Sequence, residues 1–349
     1  MGYSETFREL LSGNRPLLAL APMQDVTDLP FWKWMMGYGG PDVYWTEYFR
    51  VHKDSRLERK ILRSVTENPT GRPVVAQMIG NDAESLVRNA RELERYDIAA
   101  VDLNLGCPAP VVYRKCAGGG LLRDLNRIDG LLGALRDAVR GLFTVKTRVG
   151  FGDADDFDRL LGLFEKHGVD VVSVHGRTVK EGYRSAVHYD LIAFAVKRLR
   201  CPVIANGNVY SAQKGVQVLE ETGARGLMIG RGAIRNPWMF EQFRQIQRGE
   251  PILYPKGREV FAFIESLYEA VSPSEIPEIF QVQKMKKYLN FIGLAVDPEG
   301  KFLHAMRRVE TRADLFSVCK TYLDHEDRMT LEPFQLELAE SDSMRGEHL

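Results

Sequence analysis

The chain has 349 residues, 44% of them apolar, and its 47 Lys and Arg balance 47 Asp and Glu. That length supports a sizeable core and leaves room for a smaller domain beside a barrel of about 250 residues. Zero net charge excludes nucleic-acid binding through bulk charge but leaves room for a local basic face.

In chain order, short apolar, β-branched runs alternate with amphipathic stretches. The runs predict strands at Leu17–Ala21, Val43–Tyr48, Val74–Ile79, Ala100–Leu105, Phe143–Arg148, Val169–His175, Val203–Asn206 and Gly226–Ile229. Several are almost continuously apolar, as parallel strands covered on both faces are. Asp82–Tyr96 and Asp155–His167 have helical periodicity. Eight βα repeats predict an α/β chain closed into a (β/α)8 TIM barrel over 1–250. An open doubly wound sheet is the alternative, but the GxGxxG that would support it is absent. The longest gap separates the fourth and fifth strands and holds Gly106-Cys107-Pro108 and Gly118-Gly119-Gly120. A glycine-rich loop at the C-terminal end of a barrel strand is where such folds place chemistry. After residue 250 the pattern changes: Pro251 and Pro255 mark a break, and helices are expected at Val260–Val271, Gln281–Ile292 and Gly300–Val309, with Pro273 and Pro277 between. They predict a smaller C-terminal helical domain over 256–335, then a polar tail, 340–349. No run approaches the ~20 apolar residues of a membrane span, and the N-terminus lacks the layout of a signal peptide.

The chemistry-bearing residues gather at the ends of these strands. Ala205-Asn206-Gly207-Asn208 ends the seventh and Ile229-Gly230-Arg231-Gly232 the eighth, the usual places for a phosphate in a barrel. Glycines there let backbone N–H groups approach an anion, a helix starting near Ala233 would add its positive end, and Arg231 can fork onto a phosphate. Two ordinary glycine turns would read the same in isolation. Strand alternation places Lys146 with Arg148, Asp102 with Asn104 and, if the strand continues, His175 with Arg177 on shared faces, while Gln77 lies near the end of the third strand. So many polar groups at one mouth are costly unless they meet a ligand or each other. A lone His175 would read as a satisfied core histidine.

The four cysteines, Cys107, Cys116, Cys201 and Cys319, match no zinc or CxxC spacing, and a disulfide framework does not suit so long a chain with so few; a reducing, cytoplasmic setting follows. Cys107, just past the fourth strand, has no His/Cys cluster for a metal. It is open to a role as nucleophile, as neutral proton donor or as a small buried hydrophobe. Cys116 competes with it in the same loop. Cys201 and Cys319 read as structural.

Taken in order, Ala21-Pro22-Met23 with Val26-Thr27-Asp28, Gln77 before Gly80, Asn104-Leu105-Gly106-Cys107-Pro108, Arg114-Lys115 with Gly118-Gly119-Gly120-Leu121-Leu122, Lys146-Thr147-Arg148, His175-Gly176-Arg177-Thr178, Ala205-Asn206-Gly207-Asn208 and Gly230-Arg231 give a specific set. The sequence resembles the tRNA-dihydrouridine synthases as far as Asn236-Pro237-Trp238, with the helical region a weaker continuation. The resemblance implies an FMN-dependent oxidoreductase that reduces selected uridines of tRNA with NADPH or NADH. It implies that FMN is held by Ala21, Pro22, Met23, Gln77, Lys146, His175, Asn206, Gly207, Asn208, Gly230 and Arg231, that Cys107 is the proton donor, and that Asn104, Arg148 and Arg177 face the uracil or nearby tRNA. A lysine beside the flavin pyrimidine ring would stabilise its anionic reduced form, and the target base would leave its stack to be reached. No metal and no membrane partner are implied, and a monomer is expected. Asn stands in Asn206-Gly207-Asn208 where many relatives carry Asp, and Ser185 stands where Gly is common. Lys284, Lys286, Lys287, Lys301, Arg307, Arg308 and Arg312 of the helical region would suit a tRNA backbone or form a solvated helix face; Tyr288 and Phe291 beside them read as core. Two other readings are an FMN barrel acting on a free pyrimidine and a non-catalytic RNA-binding barrel.

Overall fold

A computed structural model of the chain describes residues 2–334; the expected tail lies outside them. Nine strands form: β1 Leu17–Leu20, β2 Val43–Trp45, β3 Phe49–Arg50, β4 Val74–Ile79, β5 Ala100–Leu105, β6 Phe143–Arg148, β7 Val171–His175, β8 Val203–Asn206 and β9 Gly226–Ile229. Every pairing is parallel, and β1 pairs with both β2 and β9. β2 pairs with the start of β4 at Val74 and Val75, and β3 with its end at Met78 and Ile79. The ring β1-β2-β4-β5-β6-β7-β8-β9 is therefore closed, the expected (β/α)8 barrel with helices in its crossovers.

The expected strand Val43–Tyr48 is in fact one broken stave. It stops at Trp45 because Thr46 and Glu47 turn to other work. The Thr46 hydroxyl accepts the Gln77 N–H at 3.0 Å, replacing a ladder bond, and the buried Glu47 carboxylate accepts the Asp25 N–H from the loop after β1. Pairing resumes two residues later in β3.

At the strand N-termini, helix Tyr3–Ser12 inserts Phe7 among Leu17, Val43, Trp45, Ala100, Leu142 and Val171. Phe7 meets Trp45 edge-on at 6.0 Å. One end of the barrel is thus a dry plug, and the polar groups lie at the other end. Local signals set the crossover helices: Asp82 caps Ala83–Leu93 by accepting the Ser85 N–H, and Asp124 caps Leu125–Ala138 by accepting the Arg127 N–H. The long gap after β5 is more ordered than a loop. It contains the short helix Pro110–Tyr113, a 3-10 turn over Gly118–Arg123 and the helix Leu125–Ala138.

Among the described residues the chain forms two compact units. One comprises 2–29, 41–208 and 216–229, and the other 30–40, 209–215 and 230–334. The second is helical, with Gly257–Val271, Glu278–Ile292, Lys301–Met306 and Arg312–Leu323 as its C-terminal helices. The helix Gly257–Val271 begins earlier than periodicity suggests, because Glu259 reaches back to the Lys256 N–H at 2.7 Å. Tyr288 is fully buried and stacks on Phe31 at 5.7 Å, a core residue as expected, whereas Phe291 is only half-buried. No helix among the described residues is long and apolar enough to cross a membrane.

Barrel closure rests on a glycine. A Cβ on Gly226 would lie 2.3 Å from the Leu17 carbonyl oxygen and 2.7 Å from the Leu17 Cβ, in the ladder that joins β9 to β1. Backbone cannot yield there, so Gly226→Ala should destabilise the barrel by about 1–3 kcal/mol or more. Urea unfolding should show a lower midpoint at unchanged slope.

Candidate active site

The site begins in strand register. β4, β5 and β6 set Gln77 beside Asp102 and Asp102 beside Thr144; two residues on, Asn104 lies beside Lys146. Alternation turns these residues to one face, and hydrogen bonds join them. Gln77 Nε2 donates to Asp102 Oδ2 at 2.8 Å, and the Thr144 hydroxyl donates to Asp102 Oδ1. Asn104 Nδ2 donates to Gln77 Oε1 at 2.8 Å. Asn104 Oδ1 then accepts the N–H groups of Gly106 and Cys107, each at 2.9 Å.

This chain of bonds has one possible direction. Asp102 is fully buried; burial pushes its pKa up to about 6, against the lowering effect of the Thr144 and Gln77 hydrogen bonds and the Lys146 charge. Above that pH it only accepts. Backbone N–H groups at the far end only donate. Both amides between them are therefore oriented, and the Cys107 backbone is tied to a buried carboxylate in the barrel interior.

A second restraint comes from the glycine turn. Gly119 N–H donates to the Cys107 carbonyl at 3.1 Å. Gly118 has φ +52°, and a Cβ there would stand 3.0 Å from the Cys107 Cβ and 2.9 Å from Ile79. A turn without side chains can lie flat against the half-buried Cys107. Cys107 also acts electrostatically on Lys146 and Tyr48. The other cysteines differ. Cys116 is exposed, with Sγ 3.6 Å from an Arg123 nitrogen. Burial pushes the Cys201 and Cys319 thiols up to about 12.

Lys146 donates to Asn206 Oδ1 at 3.2 Å, and Asn206 Nδ2 donates to the Met228 carbonyl at 2.7 Å. Burial and then the Arg148 charge push Lys146 down to about 8, while Asp102 and Cys107 pull it up. His175 ends β7, is buried and meets Tyr183 edge-on at 6.0 Å. Gly207 at φ +129° and Asn208 at φ +45° turn the chain after β8, and Tyr189 OH donates to the Gly207 carbonyl at 3.0 Å. After β1, the Thr27 hydroxyl accepts the Met23 N–H at 2.8 Å and donates to the Ala21 carbonyl at 3.1 Å, shaping Ala21-Pro22-Met23. Glu47, its pKa raised by burial, holds the same loop at Asp25. Gly230 and Arg231 directly follow β9 and open the short helix Arg231–Arg235.

Arg148 and Arg177 engage loop backbone. Arg148 donates to the carbonyls of Gly106 at 3.0 Å, Thr178 at 2.8 Å and Gly182 at 2.7 Å. Arg177 donates to the Ser185 carbonyl and, at 3.2 Å, to Asn208 Oδ1. The strand has already ended at His175, so the expected shared face of His175 and Arg177 is replaced by a turn in which the Arg177 N–H bonds the His175 carbonyl at 2.7 Å. Thr27 entered the sequence reading only as part of the motif Val26-Thr27-Asp28, and Thr46, Glu47 and Tyr48 were not singled out from sequence. Their signal was a polar pair, Thr46-Glu47, at the end of an apolar strand.

The mouth thus offers a thiol, a desolvated ammonium group and oriented amides, a set able to hold a polar planar ring and give it a proton. A family model described as dihydrouridine synthase matches residues 19–325. The chain belongs to the dihydrouridine synthase family. Among the family's curated members, it is 38% identical over 312 residues to a probable tRNA-dihydrouridine synthase of Helicobacter pylori, covering 88% of this chain and 87% of the relative. It is 33% identical over 294 residues to tRNA-dihydrouridine synthase B of Pseudomonas putida, covering 82% and 85%. It is 28% identical over 317 residues to tRNA-dihydrouridine(16) synthase of Neisseria meningitidis, covering 88% and 95%. A solved histamine dehydrogenase from Rhizobium is similar in fold alone, with TM-score 0.53 and 11% identity over 81% of this chain and 51% of that one.

The glycine turn can be tested without any ligand. Gly118→Ala puts a Cβ against Cys107 at a left-handed backbone position, which should cost about 1–3 kcal/mol. In a Cys116→Ala background, iodoacetamide should alkylate Cys107 severalfold faster in the Gly118→Ala protein than in its parent.

Proposed function

We propose that this chain reduces the C5–C6 double bond of selected uridines in tRNA, with FMN as its flavin, NADPH or NADH as reductant and Cys107 as proton donor. Family membership supports the reaction class. The observation that carries the residue assignment is the tethering of Cys107 to Asn104, Gln77 and Asp102 in the mouth that also holds Lys146.

The residues fit a flavin. Lys146 is a desolvated cation suited to the anionic edge of a reduced flavin. The turn at Gly207 and Asn208 offers backbone N–H groups of the kind that bind phosphate. Gln77, Lys146, His175 and Asn206 would hold the group, with Ala21-Pro22-Met23 as a backbone wall shaped by Thr27 and Glu47. Bound FMN, once reduced by the nicotinamide, would supply hydride to C6 of uracil.

The protein's own part is the proton. As C6 gains hydride, the C5–C6 electron pair moves to C5. The Cys107 S–H bond breaks, its proton forms the new C5–H bond, and the thiolate left behind faces the Lys146 ammonium. Asn104 aligns the thiol by fixing the Gly106 and Cys107 N–H groups. We assign Arg148 and Arg177 to the pocket wall: they hold Gly106, Thr178, Gly182, Ser185 and Asn208, and so shape the space the uracil enters. In the helical segment 256–335 we propose a tRNA-backbone face. Lys287 and Arg308 are its best candidates, because Lys301 pairs with Glu299 and Arg312 with Glu269.

Cys107→Ala should leave flavin reduction by NADPH within about twofold of wild type, while dihydrouridine formation, read by mass spectrometry of digested tRNA, falls by about 10²–10⁴-fold. Cys116→Ala should retain activity; comparable loss there would transfer the role. An enzyme that reduces free uracil but leaves unmodified tRNA untouched would refute the substrate assignment. A pH dependence follows from Lys146. It is cationic below about pH 8 and neutral above, so FMN affinity should weaken as pH rises through 8. Fluorescence titration should show this fall in wild type and a flat profile in Lys146→Met.

A further inference from the structure

Three loops at the C-terminal end of the barrel meet around two aromatic rings. Tyr113 comes from the segment after β5 and Phe151 from the loop after β6, and their rings lie edge to face at 5.7 Å. Lys180, from the loop after β7, places its ammonium 5.5 Å from the Tyr113 ring and 5.4 Å from Phe151. The Arg123 guanidinium lies 4.6 Å over the Phe151 ring and donates to the Tyr113 and Gly120 carbonyls. Exposed Arg114 and Lys115 directly follow Tyr113. Backbone bonds from Val179 to Gly150 and from Lys180 to Phe151, both 2.9 Å, tie the β6 and β7 loops together.

Arg114, Lys115, Arg123 and Lys180 share a property that many surface cations of this neutral chain lack. Elsewhere Arg63 pairs with Glu67, Lys166 with Asp129, Arg248 with Glu241 and Glu250, and Arg258 with Asp324 and Glu326. None of the four rim cations has a carboxylate within 4.0 Å among the described residues. The acids of the same loops are engaged in part elsewhere: Asp124 caps a helix, Asp156 pairs with Arg159, and Glu181 takes His188 and the Thr178 N–H. Asp153 and Asp155 lie in the β6 loop without reaching these cations. Aromatic rings position a cation without neutralising it. The rim is therefore a preformed, uncompensated positive edge, and it is carried by the segment whose Gly119 N–H holds the Cys107 carbonyl.

We propose that this rim binds RNA phosphates flanking the uridine presented to Cys107. The inference rests on the tRNA reading above and adds a contact surface on the barrel itself. The faces of Phe151 and Tyr113 are already taken by Arg123 and Lys180, so the rim reads charge rather than bases. Its contribution should be salt-dependent and nearly independent of RNA sequence.

The test is fluorescence anisotropy of an unmodified tRNA transcript across a NaCl series, using full-length protein. Combined Arg114→Gln, Lys115→Gln and Lys180→Gln should lower the slope of log K against log[salt] by about 2, at roughly 0.7 per lost phosphate contact. Flavin reduction by NADPH should be unchanged. Arg123 is left in place because its guanidinium also holds loop carbonyls. The charge-preserving set Arg114→Lys, Lys115→Arg and Lys180→Arg should keep the wild-type slope, and Lys180→Gln alone should lower it by about 0.7. An unchanged slope in the neutralised proteins, or an equal loss in the charge-preserving one, overturns the inference while the tRNA reading stands. A wild-type protein that neither binds nor reduces tRNA overturns both.

Discussion

A buried carboxylate sets the geometry of this mouth. Asp102 lies fully buried inside the barrel with its pKa raised to about 6, and an ionised group there is tolerable only if its acceptor sites are filled. Thr144 and Gln77 fill them. Filling them orients Gln77, which orients Asn104, which takes the Gly106 and Cys107 N–H groups. A polar cost in the core thereby becomes directional restraint at the thiol. A strand-end amide alone could flip; one anchored to an acceptor at one side and a backbone donor at the other cannot flip without leaving both unsatisfied.

The loops above the mouth are held by a similar device. Arg148 and Arg177 are buried cations whose partners are mainly backbone carbonyls. Carbonyl partners do not depend on side-chain identity, which explains why Ser185 is compatible with the fold, while Asn208 retains a side-chain oxygen for Arg177. Ser185 is contacted by Arg177 through its backbone oxygen, and its φ is not among the positive ones; the left-handed position of that segment is Gly182, at φ +62°. Asn208 keeps an acceptor for Arg177 at 3.2 Å, and Asn tolerates the φ of +45° found there. Both departures therefore converge on one guanidinium without changing what it needs.

The barrel was legible in sequence because parallel strands buried on both faces read as apolar runs, and the eight expected runs became its staves. What periodicity could not show was the break at Thr46-Glu47, since it is caused by partners on β4 and in the β1 loop, far away in sequence. Helix Tyr3–Ser12 was likewise silent: its role as a plug depends on Phe7 meeting residues from several strands. At the site, motif order singled out Cys107, Asn104, Gln77 and Lys146, but not who holds whom. Arg148 and Arg177 look like ligand-facing cations in a linear motif, and only the fold shows their donors spent on loop carbonyls. In the helical region, part of the expected positive charge is paired, Lys301 with Glu299 and Arg312 with Glu269.

The most direct test of the account is amide hydrogen exchange at Gly106 and Cys107 in Asp102→Ala, a substitution that removes the acceptor without adding bulk to the fully buried position. If the carboxylate orients the two amides, protection at those N–H groups should fall at least about tenfold more than at the β5–β6 ladder amides, with dihydrouridine formation falling in parallel. If instead all these amides lose protection equally, Asp102 serves only the stability of the barrel, and its role in holding Cys107 is contradicted.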